Sequence, residues 1–457
     1  MAEAKAKKSA PTKASVKKKR TSLKTLKVAK GRGAVLVEGV RTPFLRSNGA
    51  YRSQMAHDLG RFAMSGLMDK TALNPDLVDQ VIFGTVVQDP RTSNLAREVA
   101  LGAGIPQHVP SYTTTLACIS ANVAATSAVE LIRSGQIDTA IVGGAESFSD
   151  PPIRLSKKLR QALVKMQKAK GPTDYLSIVK TLTPKDLAPD IPSAAEFSTG
   201  LTMGQGCERM AKRFDVTREE GDAFAVRSHQ LAAKAWEEGH FDDEVLSLQL
   251  PPSFDAIDLD DGPRGDSTME SVAKLRPVFD KQFGTITAAS SSFLTDGAAA
   301  VLLMSEDRAD ELGMEAKSIV RDYVYTAGDP LEELLLGPAL AIPKLLERAG
   351  LSVDDIDVWE IHEAFAAQMV ANLNCLKDDE FAKTRLGLSK AVGEIPDEKL
   401  NIWGGSLSLG HPFGATGGRL LTTASHRLQK FGQRYAVIAG CAAGGQGSAI
   451  LLENPNF

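Results

Sequence analysis

The amino-acid sequence predicts an α/β fold built from two similar halves. Apolar segments alternate with amphipathic ones after a basic tail, giving a strand at 34–37, a helix around 57–68 and a strand at 81–83. Such alternation is typical of α/β proteins with a mostly parallel sheet. Two segments of the first half recur late in the chain, which suggests that the same unit is present twice.

The composition is that of a globular protein. The chain has 457 residues, of which 43% are hydrophobic and 24% charged, enough for two or three domains. Its four cysteines are too far apart for a disulfide framework or a zinc site, so we expect a reducing compartment and no metal. No apolar run reaches the length of a membrane-spanning helix.

The N-terminal segment differs from the rest of the chain. Residues 1–32 contain twelve Lys and Arg but one acidic residue, Glu3, so they carry about +11 and the remainder about −14 of the net −3. Residues 1–31 lack apolar periodicity and are predicted to be a disordered basic tail, with a targeting segment or an anionic-surface contact as the alternative. The acidic body argues against a nucleic-acid partner.

A lone thiol stands where an extended segment meets a helix. A Thr-rich stretch leads to Cys118, which opens a long amphipathic helix ending at Gly135, and a strand at 139–142 follows. Backbone N–H groups and the helix dipole favour an anion at such a position, as for a nucleophilic cysteine. The alternative is a small buried core residue.

The internal similarity consists of two pairs of segments. Residues 73–84 (LNPDLVDQVIFG) align with 351–362 (LSVDDIDVWEIH) at an offset of 278, and residues 135–145 align with 432–442 at an offset of 297. This pattern suggests that one α/β unit was duplicated.

The duplication has a chemical consequence. Ligands of open α/β sheets bind beyond the carboxyl ends of the strands. In the second copy those ends carry His362 and Cys441, and the glycine-rich segment 401–419 between them contains His411. A reactive site shared by the two copies would therefore contain Cys118, His362, His411 and Cys441.

Four ordered motifs resemble those of the thiolase family. They are LACISANVAA around Cys118, HEAFAAQ around His362, GGSLSLGHPFGATG around His411 and CAAGGQGSAILLE around Cys441. The resemblance continues through SHQLAAKAW, KLRPVF and GTITAASSSFLTDGAAA and covers nearly everything after the tail. Within the family, HEAF in place of the commoner NEAF resembles the β-subunits of the trifunctional complexes of fatty-acid β-oxidation.

The resemblance implies a thiolase-like α/β fold with duplicated halves, mixed central sheets and an inserted loop domain. The boundaries that we expect are a tail at 1–31, an N-terminal half at 32–147 and 295–314, an inserted loop domain at 148–294 and a C-terminal half at 315–457.

The resemblance also implies thiolysis of a 3-ketoacyl-CoA by CoA, with CoA as a substrate and no cofactor. Cys118 would be the nucleophile, His411 the base that deprotonates it and the incoming CoA thiol, and Cys441 the acid that protonates the enolate. His362 would donate an N–H to the thioester oxygen, and the backbone N–H groups of Cys118 and Ala443 would bind the oxyanion. Residues without such motifs are expected to be structural, namely His57, His108, His229, His240, His426, Cys207 and Cys375.

The inserted region would contact substrate and partners. By resemblance, Arg264 would face the nucleotide end of CoA, Ser271 would lie near it, and Ser292 would bond the pantetheine arm. Residues 151–171 combine seven basic residues with an apolar stripe and no acid. This basic amphipathic segment would lie on an anionic membrane surface, or dock on its own protein or on a partner subunit; the stripe consists of Leu155, Leu159, Leu163 and Met166.

The resemblance further implies a homodimeric core and a hydratase/dehydrogenase α-subunit as partner. We expect a cytoplasmic setting, with a membrane-associated enzyme of the mitochondrial matrix as the alternative. A short-chain acetoacetyl-CoA thiolase would share all four motifs. A condensing enzyme for carrier-bound acyl groups would lack the second thiol, and a non-catalytic acyl-CoA-binding scaffold would not need the reactive set.

Overall fold

The fold is that of a computed structural model, which describes residues 32–190 and 195–457. The predicted basic tail, residues 1–31, lies outside the described residues. The strands are β1 (Ala34–Arg41), β2 (Leu45–Arg46), β3 (Gln80–Gly84), β4 (Ser111–Thr114), β5 (Thr139–Glu146), β6 (Arg154–Leu155), β7 (Pro189–Asp190), β8 (Leu248–Gln249), β9 (Ala256–Ile257), β10 (Thr295–Ser305), β11 (Ser318–Ala327), β12 (Val358–Ile361), β13 (Tyr435–Ala442) and β14 (Gln446–Glu453). The helices are α1 (Ala56–Thr71), α2 (Leu95–Gly102), α3 (Ser120–Arg133), α4 (Lys157–Met166), α5 (Pro172–Val179), α6 (Met203–Arg213), α7 (Arg218–Glu237), α8 (Met269–Ala273), α9 (Glu306–Leu312), α10 (Gly337–Ala349), α11 (Ala366–Lys377), α12 (Asp379–Phe381), α13 (Ser406–Leu409) and α14 (Thr416–Phe431).

Ten strands form one mixed sheet in the order β12-β13-β14-β11-β1-β10-β5-β3-β4, with β2 paired to β10. The predicted α/β class with a mixed central sheet is confirmed, but the expectation of a mostly parallel sheet is wrong. Strand β3 is parallel to β4 and β5, and β12 is parallel to β13, whereas the central pairs are antiparallel. One reason is that β14 follows β13 through a tight turn, which forces an antiparallel pair.

The predicted duplication is visible in the order of the strands. The first half runs β1-β10-β5-β3 from the centre outwards, and the second runs β11-β14-β13-β12. The two segment pairs that align in the sequence contain β3 and β12, and β5 and β13. In each half these two strands are parallel neighbours.

Helices α3 and α14 lie between the two halves of the sheet. Alternate residues of β10 face different cores: Val301 and Leu303 contact the central cluster that contains both helices, while Leu302 and Met304 contact the outer cluster with α1 and α2. Both faces of the strand are therefore buried, which explains its uninterrupted apolar sequence. The two helices contribute to the central cluster Ala124, Ala125, Ala128, Val129, Ile132, Leu420, Leu421, Ala424 and Leu428.

Residues 148–294, as far as they are described, add helices α4 to α8 and two small strand pairs outside the main sheet. Helices α6 and α7 pack on the C-terminal half, and Cys207 and Cys375 are buried in that core as predicted. Helices α4 and α5 protrude, and Ala162 is the one buried residue in their described length. No helix in the described ranges is long and apolar enough to cross a membrane.

The contact between α3 and α14 requires a glycine at position 417. A Cβ atom there would lie 2.0 Å from Oδ1 of Asn122. We expect Gly417→Ala to lower the free energy of unfolding by about 1–3 kcal/mol because the helices would have to separate. The measurement is a denaturant unfolding curve. Gly171→Ala is the control, since its Cβ would meet open space, and equal curves for the two variants would contradict the prediction.

Candidate active site

Cys118 lies in the turn between β4 and α3, two residues before the first helical residue, Ser120. The preceding residue, Ala117, has a left-handed φ of 44°, which is uncommon for a residue with a side chain. Ser120 holds this turn, because its Oγ accepts from the Leu116 N–H at 2.8 Å and donates to the Ala117 carbonyl at 2.7 Å. The turn places Cys118 in front of the helix, where the residue is partly exposed but its sulfur is buried.

The structure brings three of the predicted residues together. The Cys118 sulfur and one ring nitrogen each of His362 and His411 lie within 4.8 Å of one another, and the two imidazole centroids are 4.0 Å apart. Nε2 of each histidine is buried and has no hydrogen-bond partner among the described residues. Unpaired buried polar atoms need an explanation, and a substrate would supply their partner.

A hydroxyl group sets the tautomer of His411. Its Nδ1 lies 2.6 Å from Oγ1 of Thr416, and this hydroxyl donates its one hydrogen to the Pro412 carbonyl at 3.0 Å. Thr416 therefore accepts from Nδ1–H, which leaves Nε2 as an acceptor. Burial, with smaller contributions from His362 and Arg419, holds the pKa of His411 well below its usual value. The neutral ring can take a proton from a thiol beside it.

Two backbone N–H groups point at the Cys118 sulfur, those of Cys118 itself and of Ala443 in the turn after β13. These are the two donors predicted to bind an oxyanion. Burial nevertheless raises the pKa of Cys118 to about 12, so the two donors do not offset the loss of water. Ionisation of this thiol therefore depends on a neighbouring base, the part expected of His411.

Cys441 is fully buried near the end of β13. Burial comes first among the causes that raise its pKa well above the usual value, followed by the neighbouring sulfurs of Cys118 and Cys207. At neutral pH this group is a protonated thiol. It can therefore give a proton to a carbanion or enolate beside Cys118.

Comparison with known proteins agrees with this geometry. Residues 34–307 match the family model "Thiolase, N-terminal domain", and residues 314–454 match "Thiolase, C-terminal domain". The chain belongs to the thiolase family.

Relatives of this thiolase span nearly its whole length. The mitochondrial trifunctional enzyme subunit beta of Mus musculus is 50% identical over 94% of this chain and 90% of its own. A 3-ketoacyl-CoA thiolase of Photobacterium profundum is 46% identical over 95% of this chain and 99% of its own. The crystal structure of an acetyl-CoA acetyltransferase of Bacillus anthracis has a TM-score of 0.79 and 31% identity, covering 92% of this chain and 98% of that one.

Ser292 of this thiolase lies beside the catalytic loops. Its N–H donates to the Ala364 carbonyl at 3.0 Å, two residues after His362. Three residues further along, Oγ1 of Thr295 accepts from the N–H of His411 at 2.9 Å. One short segment thus joins both histidine loops.

The other two residues predicted to contact CoA, Ser271 and Arg264, have different neighbours in the structure. The hydroxyl of Ser271 donates to the Thr268 carbonyl at 2.8 Å and so stabilises the start of α8. Arg264 is exposed and lies close enough to Arg46 and His229 to contribute to lowering their pKa values, after burial. Burial and these two arginines lower the pKa of His229 to about 4.

Arg46 lies beside the segment of Ser292 and was missed by the sequence analysis. Its guanidinium lies 3.9 Å from the ring centroid of Phe293, the neighbour of Ser292. Burial and then Arg264 lower its pKa, while the carboxylate of Asp261 opposes this shift. In the sequence it is one Arg in a turn region, and nothing marked its approach to a segment almost 250 residues away.

Glu146 is a second missed residue. Its buried carboxylate accepts from the N–H groups of Val86, Val87 and Gly414 at 3.1, 2.8 and 3.0 Å, and from the Thr85 hydroxyl at 3.2 Å. It thereby ties the end of β3 to the loop that carries His411. The signal in the sequence that could have identified Glu146 is an acidic residue at the end of an apolar strand, β5.

Glu196 binds the turn on the other side of the thiol. Its carboxylate accepts from the Gly444 N–H at 2.5 Å, next to the Ala443 N–H that points at Cys118. Its negative charge adds a little to the raised pKa of Cys118.

Glu146 should make the stability of this thiolase depend on pH. Burial raises its pKa from 4.5 to about 7, although the donors around it oppose the shift. The folded protein therefore binds this proton more tightly than the unfolded chain does. Stability should fall by up to about 3 kcal/mol as the pH rises from below 4.5 to above 7. Glu146→Gln should lack this part of the slope in unfolding curves measured from pH 5 to 7.5, and parallel pH dependences would show the prediction to be wrong.

Proposed function

We propose that this thiolase cleaves 3-ketoacyl-CoA with CoA in fatty-acid β-oxidation, through an acyl-Cys118 intermediate. The products are acetyl-CoA and an acyl-CoA shortened by two carbons. The observation that carries the proposal is the meeting of the Cys118 sulfur with His362 and His411 within 4.8 Å. The names of the relatives at 46–50% identity support the substrate class.

In the first half-reaction, Nε2 of His411 takes the proton of Cys118, and the thiolate adds to the C3 ketone. The N–H groups of Cys118 and Ala443 stabilise the oxyanion. The C2–C3 bond then breaks and its electron pair forms the enolate of acetyl-CoA. His362 donates a hydrogen bond to the thioester oxygen of this enolate, and Cys441 protonates C2.

In the second half-reaction, the acyl group passes from Cys118 to CoA. The proton on His411 first moves to the Cys441 thiolate, which restores both groups. His411 then deprotonates the CoA thiol, and the resulting thiolate attacks the acyl-Cys118 thioester. Cys118 leaves as a thiolate and recovers its proton from His411, so the enzyme returns to its resting state.

Removal of the proposed nucleophile should abolish cleavage. We expect Cys118→Ala to lower kcat for a 3-ketoacyl-CoA by ~10³-fold or more, and intact-protein mass spectrometry should show no acyl adduct. Cys375→Ala is the control, because the charged groups that act on this buried thiol are Asp378, Glu333 and Arg213 and include none of the four reactive residues. Unchanged cleavage by Cys118→Ala would instead support a scaffold subunit.

The second candidate function is short-chain acetoacetyl-CoA thiolysis, which the acetyl-CoA acetyltransferase structure favours at its lower identity of 31%. The two functions differ in how activity depends on chain length. We expect kcat/KM for 3-ketoacyl-CoA esters to rise from four carbons to long chains. A preference for the four-carbon ester would overturn the choice of substrate.

The proposal includes a homodimer that pairs with a hydratase/dehydrogenase α-subunit. Strand β4 ends the sheet and has β3 as its one partner in the described chain, and its Tyr112 is 38% exposed. A second copy could cover this open edge. The relatives named as beta subunits support the α-subunit partner. Purification from the native source, followed by identification of the co-eluting proteins, tests both.

The proposal also includes a peripheral membrane contact through α4 and α5. Helix α4 begins at Lys157, so Leu155 of the predicted stripe lies in β6 instead, and Leu159 and Met166 are half-buried. The apolar side chains that protrude are Leu163, Val164, Tyr175, Leu176 and Val179, which are 42–58% exposed. Docking of this face on the protein's own body is not seen in the described residues. Exposed apolar groups next to lysines suit an anionic lipid surface.

Charge reversal on this face should weaken binding to anionic vesicles. The variant is Lys157→Glu, Lys165→Glu and Lys168→Glu; Lys158 is spared because it pairs with Asp186 at 2.9 Å. We expect the binding constant for phosphatidylserine vesicles, measured by co-sedimentation, to fall by about 100-fold or more, since each of the three cations near the surface contributes about 1 kcal/mol. The control reverses three exposed lysines elsewhere that, like the first three, form no ion pair in the described structure, namely Lys281, Lys344 and Lys383. Equal loss in both variants, or none, would remove the membrane proposal.

The relatives named as mitochondrial support the matrix alternative over the cytoplasmic setting that the composition suggested. The cytoplasm is the alternative, because this chain also covers 99% of the length of a bacterial relative. Fractionation of native cells distinguishes the two.

A further inference from the structure

A buried chain of polar side chains ends on His362. Oε2 of Glu360 accepts from Nη1 of Arg419 at 3.1 Å, and Nη2 of Arg419 donates to Oγ of Ser406 at 3.2 Å. Oγ of Ser406 lies 2.9 Å from Nδ1 of His362. All four side chains are 0% exposed. We infer that Ser406 and Arg419 are positioning residues that fix the tautomer of His362 with its hydrogen on Nε2, facing the substrate.

The tautomer follows from counting hydrogens. A guanidinium has donors and no acceptor, so the Arg419 contact uses a lone pair of Ser406 and leaves its hydrogen free. Nδ1 of His362 is the acceptor within reach of that hydrogen in the described structure. Ser406 therefore donates to Nδ1, and the hydrogen of the neutral imidazole is on Nε2.

The surrounding charge keeps His362 neutral. Arg419 shares Glu360 with a second buried guanidinium, that of Arg427, whose Nη1 lies 2.6 Å from Oε1. Arg419 thus places a positive charge next to Ser406, which Glu360, Glu244 and Glu363 partly offset. Burial and then Arg419 lower the pKa of His362 to about 3, so the ring meets its substrate as a neutral N–H donor.

His362 and His411 are thus opposite tautomers held 4.0 Å apart. Thr416 accepts a hydrogen bond from Nδ1–H of His411, whereas Ser406 donates one to Nδ1 of His362. Nε2 of His411 can accept a proton, and Nε2–H of His362 can donate to an oxygen. This inference rests on the proposed role of His362 at the enolate oxygen, because a lone pair at that Nε2 would repel the enolate.

Two reactions of the same enzyme separate this role from a structural one. Cleavage of a 3-ketoacyl-CoA forms an enolate, but exchange of an acyl group between acyl-CoA and labelled CoA does not. We expect Ser406→Ala to slow cleavage about tenfold, the worth of one hydrogen bond, and to leave acyl exchange within about twofold. Ser406→Thr, which keeps a hydroxyl, should restore cleavage. Ser408→Ala is the control, a buried serine of the same helix that does not contact His362.

A double-mutant cycle identifies the residue through which Ser406 acts. Asn at position 362 can donate an N–H without a choice of tautomer, so Ser406→Ala should have no further effect on cleavage in His362→Asn. If His362→Ala, which has no side-chain donor, leaves cleavage unchanged, the proposed role of His362 fails. If Ser406→Ala slows cleavage as much in His362→Asn as in the wild-type protein, or slows cleavage and acyl exchange equally, the tautomer inference is overturned.

Nitrogen NMR of the wild-type protein tests the tautomer without any variant of Ser406. The shifts of ¹⁵N-labelled histidine distinguish protonated from unprotonated ring nitrogens, and His362 is assigned from its absence in His362→Asn. We expect an unprotonated Nδ1 and a protonated Nε2 for His362, and the reverse for His411. A hydrogen on Nδ1 of His362 would overturn the inference even if Ser406→Ala failed to fold.

Discussion

The packing of α3 against α14 is the constraint on which the site depends. The two helices meet at Asn122 and Gly417, with no room for a side chain at the glycine. One helix follows the turn of Cys118, and the other follows the loop of His411. Because both turns are attached to helices fixed in the centre of the molecule, the thiol and the imidazole are placed by the core rather than by flexible surface loops. Such rigid support is what precise positioning of reacting groups requires.

Burial then determines the protonation states. The pKa of Cys118 is raised to about 12 and that of His362 is lowered to about 3, in both cases mainly by loss of water. Cys441 and His411 are likewise held neutral. The resting site carries no charge on these four groups, and charge appears there only during reaction. N–H donors that are already fixed in place stabilise such a charge without having to reorient. This preorganisation is the basis of electrostatic catalysis.

Local sequence patterns predicted much of this structure. The strand at 81–83, the helix around 57–68 and the strand at 139–142 are all present, with ends shifted by a few residues, because each has a clear apolar pattern and turn residues at its ends. The three residues that the structure brings together, Cys118, His362 and His411, were predicted from their motifs. The direction of the central strands was not, because β10 pairs with β1 and β5 across large separations in sequence that no local pattern encodes.

Residues that act through distant partners were missed for the same reason. Glu146 reaches Gly414 across 268 positions, and Arg419 reaches Glu360 across 59. The sequence does not distinguish a buried carboxylate or guanidinium from an exposed one unless its partner is known. Of the predicted apolar stripe, Leu155 and Leu163 are exposed, whereas Leu159 and Met166 are half-buried, and Leu155 lies before the helix, which begins at Lys157.

The duplication has made the two halves unequal. Gly84 and Gly144 occupy the strand ends that in the other half carry His362 and Cys441, and a Cβ on Gly144 would lie 1.9 Å from the carbonyl oxygen of Gly414 in the histidine loop. At Gly144 the space that a side chain would need is filled by backbone of the second half, and at Gly84 by Ser120 and Ala121 of the first. The two halves are therefore mutually dependent, since one contributes the sulfur of Cys118 and the other the two imidazoles beside it.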